Sequence, residues 1–221
     1  MQSLAERLFE IQSRISDAAA LASRDPATIT TIVVSKFHPA SLVRELVELG
    51  VTDFGENKHQ EASAKAAELE GLPISWNFVG QLQSNKAKAV SAYSRSIHSI
   101  DRASLISPLE GSGVDVFIQL NLTSDPGRGG VVIADLERLA EAVLATSGIR
   151  LVGLMAVAPL GEEPREAFAR VREASERLAR IDATASALSM GMSGDFPAAI
   201  AEGATHLRIG TAITGNRATR G

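Results

Sequence analysis

Residues 30–50 read TTIVVSKFHPASLVRELVELG, a β-rich apolar run followed by a stretch with helical spacing. The apolar run over 30–35 predicts a buried strand. Pro39 suits the first turn of a helix, where its missing N–H has no partner to lose, and Gly50 suits the left-handed residue that ends one. The segment therefore predicts one strand-then-helix unit, with its helix over 39–49.

The same unit recurs along the rest of the chain. Seven further apolar runs predict strands over 51–54, 75–79, 96–100, 114–120, 151–157, 187–190 and 206–209. Six further stretches predict helices over 58–69, 84–92, 102–109, 131–145, 165–181 and 195–201, with Ser84 and Asp195 as N-caps. Strand and helix in alternation require parallel strands with right-handed crossovers.

Eight units in 221 residues predict an α/β fold, a single-domain (β/α)8 TIM barrel over residues 1–221. Residues 1–28 are expected to form an extra N-terminal helix packed on this barrel. A doubly wound open sheet is the alternative. It is disfavoured because the first strand runs into SKFHP, residues 35–39, and not into the G-x-G-x-x-G turn of dinucleotide folds.

Composition excludes several classes of function. Lys and Arg total 22 against 26 Asp and Glu, and a net charge of −4 argues against a nucleic-acid or anionic-membrane partner. The absence of cysteine excludes disulfides and thiolate chemistry. The N-terminal 25 residues carry charges throughout, unlike a signal peptide, so we expect a cytoplasmic protein.

The active site of such a barrel lies at the carboxyl ends of the strands. We expect the following residues there: Lys36, Glu56, Asn57, Gln81, His98, Asn121, Ala156, Ser193, Arg208, Gly210 and Thr211. Lys36 directly follows the first strand. A partly desolvated lysine has a pKa below its usual value of about 10.4 and can attack a carbonyl to form a Schiff base. A solvated strand-end lysine is the alternative interpretation.

Glycines and hydroxyl groups cluster after the seventh and eighth strands, at 188–195 and 205–215. Barrels commonly bind phosphate at this position, using backbone N–H groups and a helix N-terminus. The cluster comprises Gly191, Ser193, Gly194, Gly210 and Thr211. Tight turns alone would also explain these glycines. A lysine beside a phosphate loop equally fits a Schiff-base aldolase or a sugar-phosphate isomerase.

The remaining candidates are weaker. His98 is either an acid–base residue or a hydrogen-bonded structural group. The four histidines have no metal-ligand spacing, so no metal is predicted. The loop over 123–130 contains Arg128 and is either a lid over the barrel mouth or a solvated surface loop.

Six strings, in this order, closely resemble the pyridoxal phosphate homeostasis proteins, a family similar to the N-terminal barrel domain of alanine racemase. They are VVSK at 33–36, DFGEN at 53–57, WNFVGQLQSNK at 76–86, IHSID at 97–101, LSMGMSGD at 188–195 and RIGTAITG at 208–215. The match runs from the first strand to Arg217. It implies a protein that binds pyridoxal 5'-phosphate (PLP) and serves intracellular PLP, or vitamin B6, homeostasis, without an established catalytic activity.

The resemblance also implies roles for individual residues. Lys36 holds PLP as a reversible lysine aldimine, and Asn57 lies against the pyridine ring or its substituents. Ser193, the backbone of Met192, Gly210 and Thr211 hold the phosphate. Arg208 meets the pyridine nitrogen, and since a guanidinium does not readily give up a proton, the ring is left a weak electron sink.

The chain departs from the family pattern at two positions: His38 replaces a second lysine, and Lys58 replaces a tyrosine. A PLP-dependent amino-acid racemase is the alternative function. The 221 residues contain no second β-rich domain to supply that enzyme's tyrosine, and the single tyrosine, Tyr93, is placed in a predicted helix. We expect a monomer that passes PLP to dependent apo-enzymes.

Overall fold

The computed structural model describes residues 2–125 and 127–215, and its centre is a closed barrel of eight parallel strands. The strands are β1 Thr30–Val34, β2 Asp53–Glu56, β3 Ser75–Phe78, β4 Ser96–Ile100, β5 Asp115–Gln119, β6 Arg150–Met155, β7 Ala187–Ser189 and β8 His206–Ile209. Each strand pairs with the next in sequence, and β8 closes the ring by pairing with β1. The predicted TIM barrel is confirmed.

Eight helices accompany the strands among the described residues. They are α1 Leu4–Leu21, α2 Ala40–Glu48, α3 His59–Glu68, α4 Ala87–Ser91, α5 Leu136–Leu144, α6 Pro164–Leu178, α7 Phe196–Ala201 and α8 Thr211–Thr214. In α2, the spacing of the apolar residues determines which face of the helix is buried. Its buried side chains, Ala40, Val43 and Leu46, recur every three residues and form one stripe against the sheet. Gly50 follows at φ 88°, the left-handed conformation expected of a helix end.

The N-terminal helix α1 packs against α7 and α8. A capping box at Ser3 and Glu6 begins the helix, since each side chain bonds the other residue's backbone N–H. Its buried stripe includes Leu8, Ile11 and Ile15. The Arg7 Nε also donates to the Ile213 carbonyl at 2.7 Å, which ties α1 to α8.

Two local predictions are wrong. Residues 102–109 form two short 3-10 turns, Ala103–Leu105 and Ser107–Leu109, and not an α-helix. Pro108 lies in the second turn and has no N–H to continue a helical ladder. Ser84 begins a 3-10 turn whose N-cap is Gln83, so Ser84 is not an N-cap.

The core lies inside the barrel and between the barrel and its helices. Large side chains such as Phe54, Phe117 and Phe168 are fully buried there. No helix within residues 2–125 and 127–215 has the length and apolar character needed to span a membrane.

Candidate functional site

A cavity of about 470 Å³ opens at the carboxyl ends of the strands. It contains all seven of the binding residues expected from the sequence, which come from the ends of β1, β2, β7 and β8. The lining residues are Val34, Lys36, Asn57, Val79, Met155, Val157, Met192, Ser193, Gly194, Arg208, Gly210 and Thr211. Residues from positions 34 to 211 of the chain therefore meet at one cavity because β1 and β8 are neighbours in the ring.

The backbone on both sides of Lys36 is held by a buried ion cluster. Lys65 Nζ contacts Glu56 Oε1 at 2.6 Å and Glu61 Oε1 at 2.9 Å. It also donates to the Ser35 carbonyl at 2.8 Å, and the Phe37 N–H donates to Glu61 Oε1 at 2.5 Å. Ser35 and Phe37 are the two neighbours of Lys36, so this cluster fixes where the lysine leaves the barrel.

Phe37 has φ 69°, which is uncommon for a residue with a side chain. Its ring centroid lies 6.0 Å from Lys36 Nζ and 5.4 Å from Lys58 Nζ. These distances fall within the range of cation–π contact. The turn at Phe37 thus places an aromatic face next to the cavity lysine.

Glu56, expected at the site from its place at a strand end, does not line the cavity. Its side chain lies on the helix side of β2, where it accepts from Ser35 Oγ at 2.7 Å and pairs with Lys65. Burial raises the pKa of this carboxyl group, and the hydrogen bond and charge of Lys65 oppose that rise. Glu56 belongs to the ion cluster behind Lys36.

Arg208 lies inside the barrel with 5% of its surface exposed. Its Nη1 donates to the carbonyl and the hydroxyl of Ser189 at 2.6 and 2.7 Å, and its Nη2 donates to the Ala156 carbonyl at 2.8 Å. No carboxylate of the described residues forms an ion pair with it. Burial lowers the pKa of Arg208 to about 10, so the guanidinium stays charged at neutral pH.

The loops after β7 and β8 supply small and hydroxyl-bearing groups. A Cβ added to Gly194 would meet nothing within 4 Å, and Ser193 and Thr211 bring hydroxyl groups to the same wall. Gly191 has a different role. At φ 93° an added Cβ would come within 2.6 Å of the Ala199 Cβ, so this glycine permits the β7–α7 turn.

The next residues of that loop form the start of α7. Asp195 occupies the predicted N-cap position, but its side chain makes no capping hydrogen bond to the helix. Its carboxylate accepts from the Met192 N–H at 2.5 Å. Met192 itself is 38% exposed and lines the cavity.

The other strand-end candidates lie away from this cavity. Gln81 lines a neighbouring cavity of about 470 Å³ with Lys58, Lys86 and Arg102, and Asn121 lines a smaller one with Arg128. The described part of the 123–130 loop, which leaves out residue 126, is tied to the end of β5, since Gln119 donates to the Gly129 carbonyl at 2.9 Å. Ala156 does not line the cavity, and its carbonyl oxygen accepts a hydrogen bond from Arg208.

His98 and Tyr93 also lie outside the cavity. His98 is fully buried inside the barrel, where it bonds Ser96 and Ser189. Tyr93, predicted in a helix, follows the end of α4 in a turn, and its hydroxyl lies 3.4 Å from His59 Nδ1. Within the described residues no group of three His, Cys, Asp or Glu side chains is arranged to hold a metal.

The closed barrel, with a lysine and a buried, charged arginine at its mouth, defines the class as a TIM-barrel protein with a ligand cavity at the strand ends. Comparison with known proteins identifies the family. Residues 8–218 match the family model for the alanine racemase N-terminal domain. The pyridoxal phosphate homeostasis protein of Pseudomonas aeruginosa is 43% identical over 98% of this chain and 97% of its own length. That of Escherichia coli is 38% identical over 98% of each chain.

Solved structures agree with the sequence relatives. PipY of Synechococcus elongatus, solved with PLP bound, superposes with a TM-score of 0.82 at 36% identity and covers 96% of this chain and 100% of its own. Alanine racemase of Corynebacterium glutamicum shares the fold, with a TM-score of 0.69 at 16% identity over 92% of this chain and 59% of its own. The chain belongs to the pyridoxal phosphate homeostasis protein family.

Proposed function

We propose that this protein binds PLP at the barrel mouth and holds it reversibly through Lys36, as a cytoplasmic, monomeric carrier that supplies dependent apo-enzymes. The observation that carries this proposal is the buried guanidinium of Arg208, which lines the same cavity as the Lys36 amine and is bonded by neutral groups only. A buried cation without an ion pair suits a ligand that brings an acceptor or negative charge. The PLP-bound relative supports the choice of ligand.

The remaining lining groups suit the rest of that ligand. The hydroxyl groups of Ser193 and Thr211 and the open backbone at Gly194 and Gly210 would hold its phosphate. The Met192 backbone would join them on release from Asp195. Asn57, which comes from the β2 end, would lie against the pyridine ring.

Lys36 supplies the covalent chemistry in this proposal. Its neutral amine would attack the PLP aldehyde, form a C=N bond and release the carbonyl oxygen as water, and hydrolysis would reverse the step. Arg208, with a pKa near 10, would donate a hydrogen bond to the pyridine nitrogen and keep its own proton. The ring would then be a weak electron sink, which favours holding PLP over carbanion chemistry.

The racemase alternative is less well supported. Proton transfer on both faces of a substrate requires two acid–base groups. Among the described residues that line the cavity, only Lys36 and Arg208 carry titratable side chains, and Arg208 holds its proton. Lys36-dependent exchange of the α-proton of an amino acid in deuterated water would favour the racemase.

The test is the near-visible absorption spectrum of the purified protein before and after addition of PLP and then of borohydride. Wild type is expected to show a yellow band that reduction removes, with mass spectrometry placing the reduced adduct on Lys36. Lys36→Ala is expected to carry no covalent PLP.

Lys58→Ala is the matched control, because Lys58 lies beside the same Phe37 ring but lines the neighbouring cavity. We expect it to keep the band and the adduct. An adduct retained in Lys36→Ala would contradict the assignment of the lysine. No band in wild type with excess PLP would overturn the PLP proposal and favour the sugar-phosphate alternative.

A further inference from the structure

A row of polar side chains runs through the interior of the barrel, from Arg208 at the cavity to Asn77 near the opposite end. Ser189 Oγ lies 2.7 Å from Arg208 Nη1 and 2.8 Å from His98 Nδ1. Ser96 Oγ lies 2.7 Å from His98 Nε2 and 2.6 Å from Asn77 Oδ1. The five side chains thus form one continuous chain of hydrogen bonds.

The two ends of this chain determine the direction of three of its four bonds, and the charge of His98 determines the fourth. Arginine can only donate, and an amide oxygen can only accept. The orientation of the Asn77 amide is itself defined by its Nδ2, which faces the carbonyl oxygens of Phe54 and Ser75 at 3.3 and 3.1 Å and Asp53 Oδ1 at 3.4 Å. Oδ1 of Asn77 must therefore accept the hydroxyl proton of Ser96.

The roles of the middle residues follow in turn. Since the Ser96 proton goes to Asn77, Ser96 Oγ accepts from His98, which must carry its proton on Nε2. Ser189 Oγ accepts from Arg208, so its own proton is free to go to His98 Nδ1. A neutral His98 protonated on Nε2 satisfies all four bonds, with Nδ1 accepting the Ser189 proton. Burial favours this neutral form over a charged ring, because it lowers the pKa of His98 well below its usual value.

We propose that His98, as its neutral Nε2–H tautomer, is a positioning residue that acts through Ser189 to hold the Arg208 guanidinium toward the cavity. This inference rests on the proposed function only for the identity of the ligand that Arg208 would contact. Arg208 has no carboxylate partner to hold it, so its orientation depends on Ser189 and Ala156. The ring of Phe117, stacked 4.2 Å from the His98 ring, keeps the imidazole in plane with its two serine partners.

The first test uses the protein without PLP. Long-range ¹⁵N–¹H spectra distinguish the two neutral tautomers and the charged form of each histidine, and this chain has only four. The His98 signals are identified by their loss in His98→Gln. We expect the Nε2–H tautomer at pH 7, and an Nδ1–H tautomer or a charged ring would overturn the inference.

The second test measures PLP affinity by absorbance titration in matched variants. Glutamine offers an acceptor oxygen and a donor nitrogen, as the Nε2–H imidazole offers an acceptor and a donor nitrogen, whereas leucine offers neither. We expect His98→Leu to weaken PLP binding about tenfold, or roughly 1.4 kcal/mol, and to shift the absorption maximum of bound PLP. His98→Gln should retain most of the affinity and the wild-type maximum.

Ser189→Ala removes the hydroxyl group between His98 and Arg208 without changing the ring, and we expect the same weakening of PLP binding as in His98→Leu. It also provides the test if His98→Leu folds poorly. Equal affinity and an equal absorption maximum in wild type, His98→Leu and Ser189→Ala would overturn the positioning role. Failure of wild type to bind PLP would overturn the proposed function instead, and the tautomer measured in the unloaded protein would still decide the hydrogen-bond chain.

Discussion

Lys65 and Arg208 are the two cations that the described residues bury, each with 5% of its surface exposed, but their surroundings differ. Lys65 lies behind β1 and β2 and contacts two carboxylates, Glu56 and Glu61. Arg208 lies inside the barrel and is bonded to two carbonyl groups and one hydroxyl group. The first cation is paired with two carboxylates, and the second is hydrogen-bonded to neutral groups only.

Under the proposed function, the difference separates a structural role for Lys65 from a binding role for Arg208. A buried ion pair contains its own counter-charge, so Lys65 needs none from a ligand, and its hydrogen bond to the Ser35 carbonyl holds the backbone beside it. A buried charge that meets only neutral dipoles is costly to the folded protein, and an acceptor from a ligand offsets part of that cost. Replacement by methionine should therefore reduce mainly the stability at Lys65 and mainly the binding of PLP at Arg208.

The largest effect is expected for Lys65→Met. Its removal leaves Glu56 buried without its ion-pair partner, and breaking a buried pair in this way typically costs about 3–5 kcal/mol. Urea unfolding monitored by circular dichroism measures the loss in free energy of unfolding. The double variant Glu56→Gln, Lys65→Met is the control and should recover much of that loss, because no charge is then left buried.

A smaller loss of stability, about 2 kcal/mol or less, is expected for Arg208→Met. The acceptors on Ser189 and Ala156 lose a donor, but the cost of burying the charge disappears as well. The PLP titration described above should show a much larger change than the unfolding curve does. The comparison of the two regions would be wrong if Arg208→Met destabilised the protein as much as Lys65→Met.

The smallest effect is a pH dependence that originates in His98. Its pKa is lowered in the folded protein by burial, then by the charges of His206 and Arg208. Below the unfolded pKa of about 6.5 the unfolded state binds a proton that the folded state excludes, so stability falls as pH falls, by up to about 1.4 kcal/mol per pH unit.

Unfolding curves at pH 7.0, 6.0 and 5.5 test this expectation. His98→Gln should remove the contribution of this one proton, which is at most about 1.4 kcal/mol per pH unit, from the slope of stability against pH. The pKa of His206 is also lowered by burial, so a residual slope should remain in the variant. An unchanged slope in His98→Gln would mean that His98 takes up its proton in the folded state as readily as in the unfolded chain.

The barrel could be predicted from the sequence because most of its strands are short apolar runs that end at Gly, Asn, Ser or a charged residue. All eight predicted strands agree with the structure to within two residues at each end. The prediction over 102–109 failed because helical spacing of Leu105 and Leu109 does not distinguish an α-helix from two 3-10 turns that bury the same side chains.

The site was predictable only in part. Lys36 and the loops after β7 and β8 could be found because a barrel brings strand ends together. The Lys65 cluster could not be found from the sequence. Lys65 is one of several polar residues on α3, and its partner Glu56 has the sequence position of a strand-end group. Neighbouring residues on a strand face opposite sides, so one position separates Asn57 at the cavity from Glu56 behind it.

The pairing of β8 with β1 also governs when the site comes into existence. Lys36 is synthesised early, whereas Arg208 and Thr211 emerge some 170 residues later, and the two groups meet only on ring closure. A nascent chain that has reached α6 contains Lys36 but lacks the lining residues that follow β7 and the whole of β8. Under the proposed function, capture of PLP at this cavity would report that translation has passed β8 and that the ring has closed.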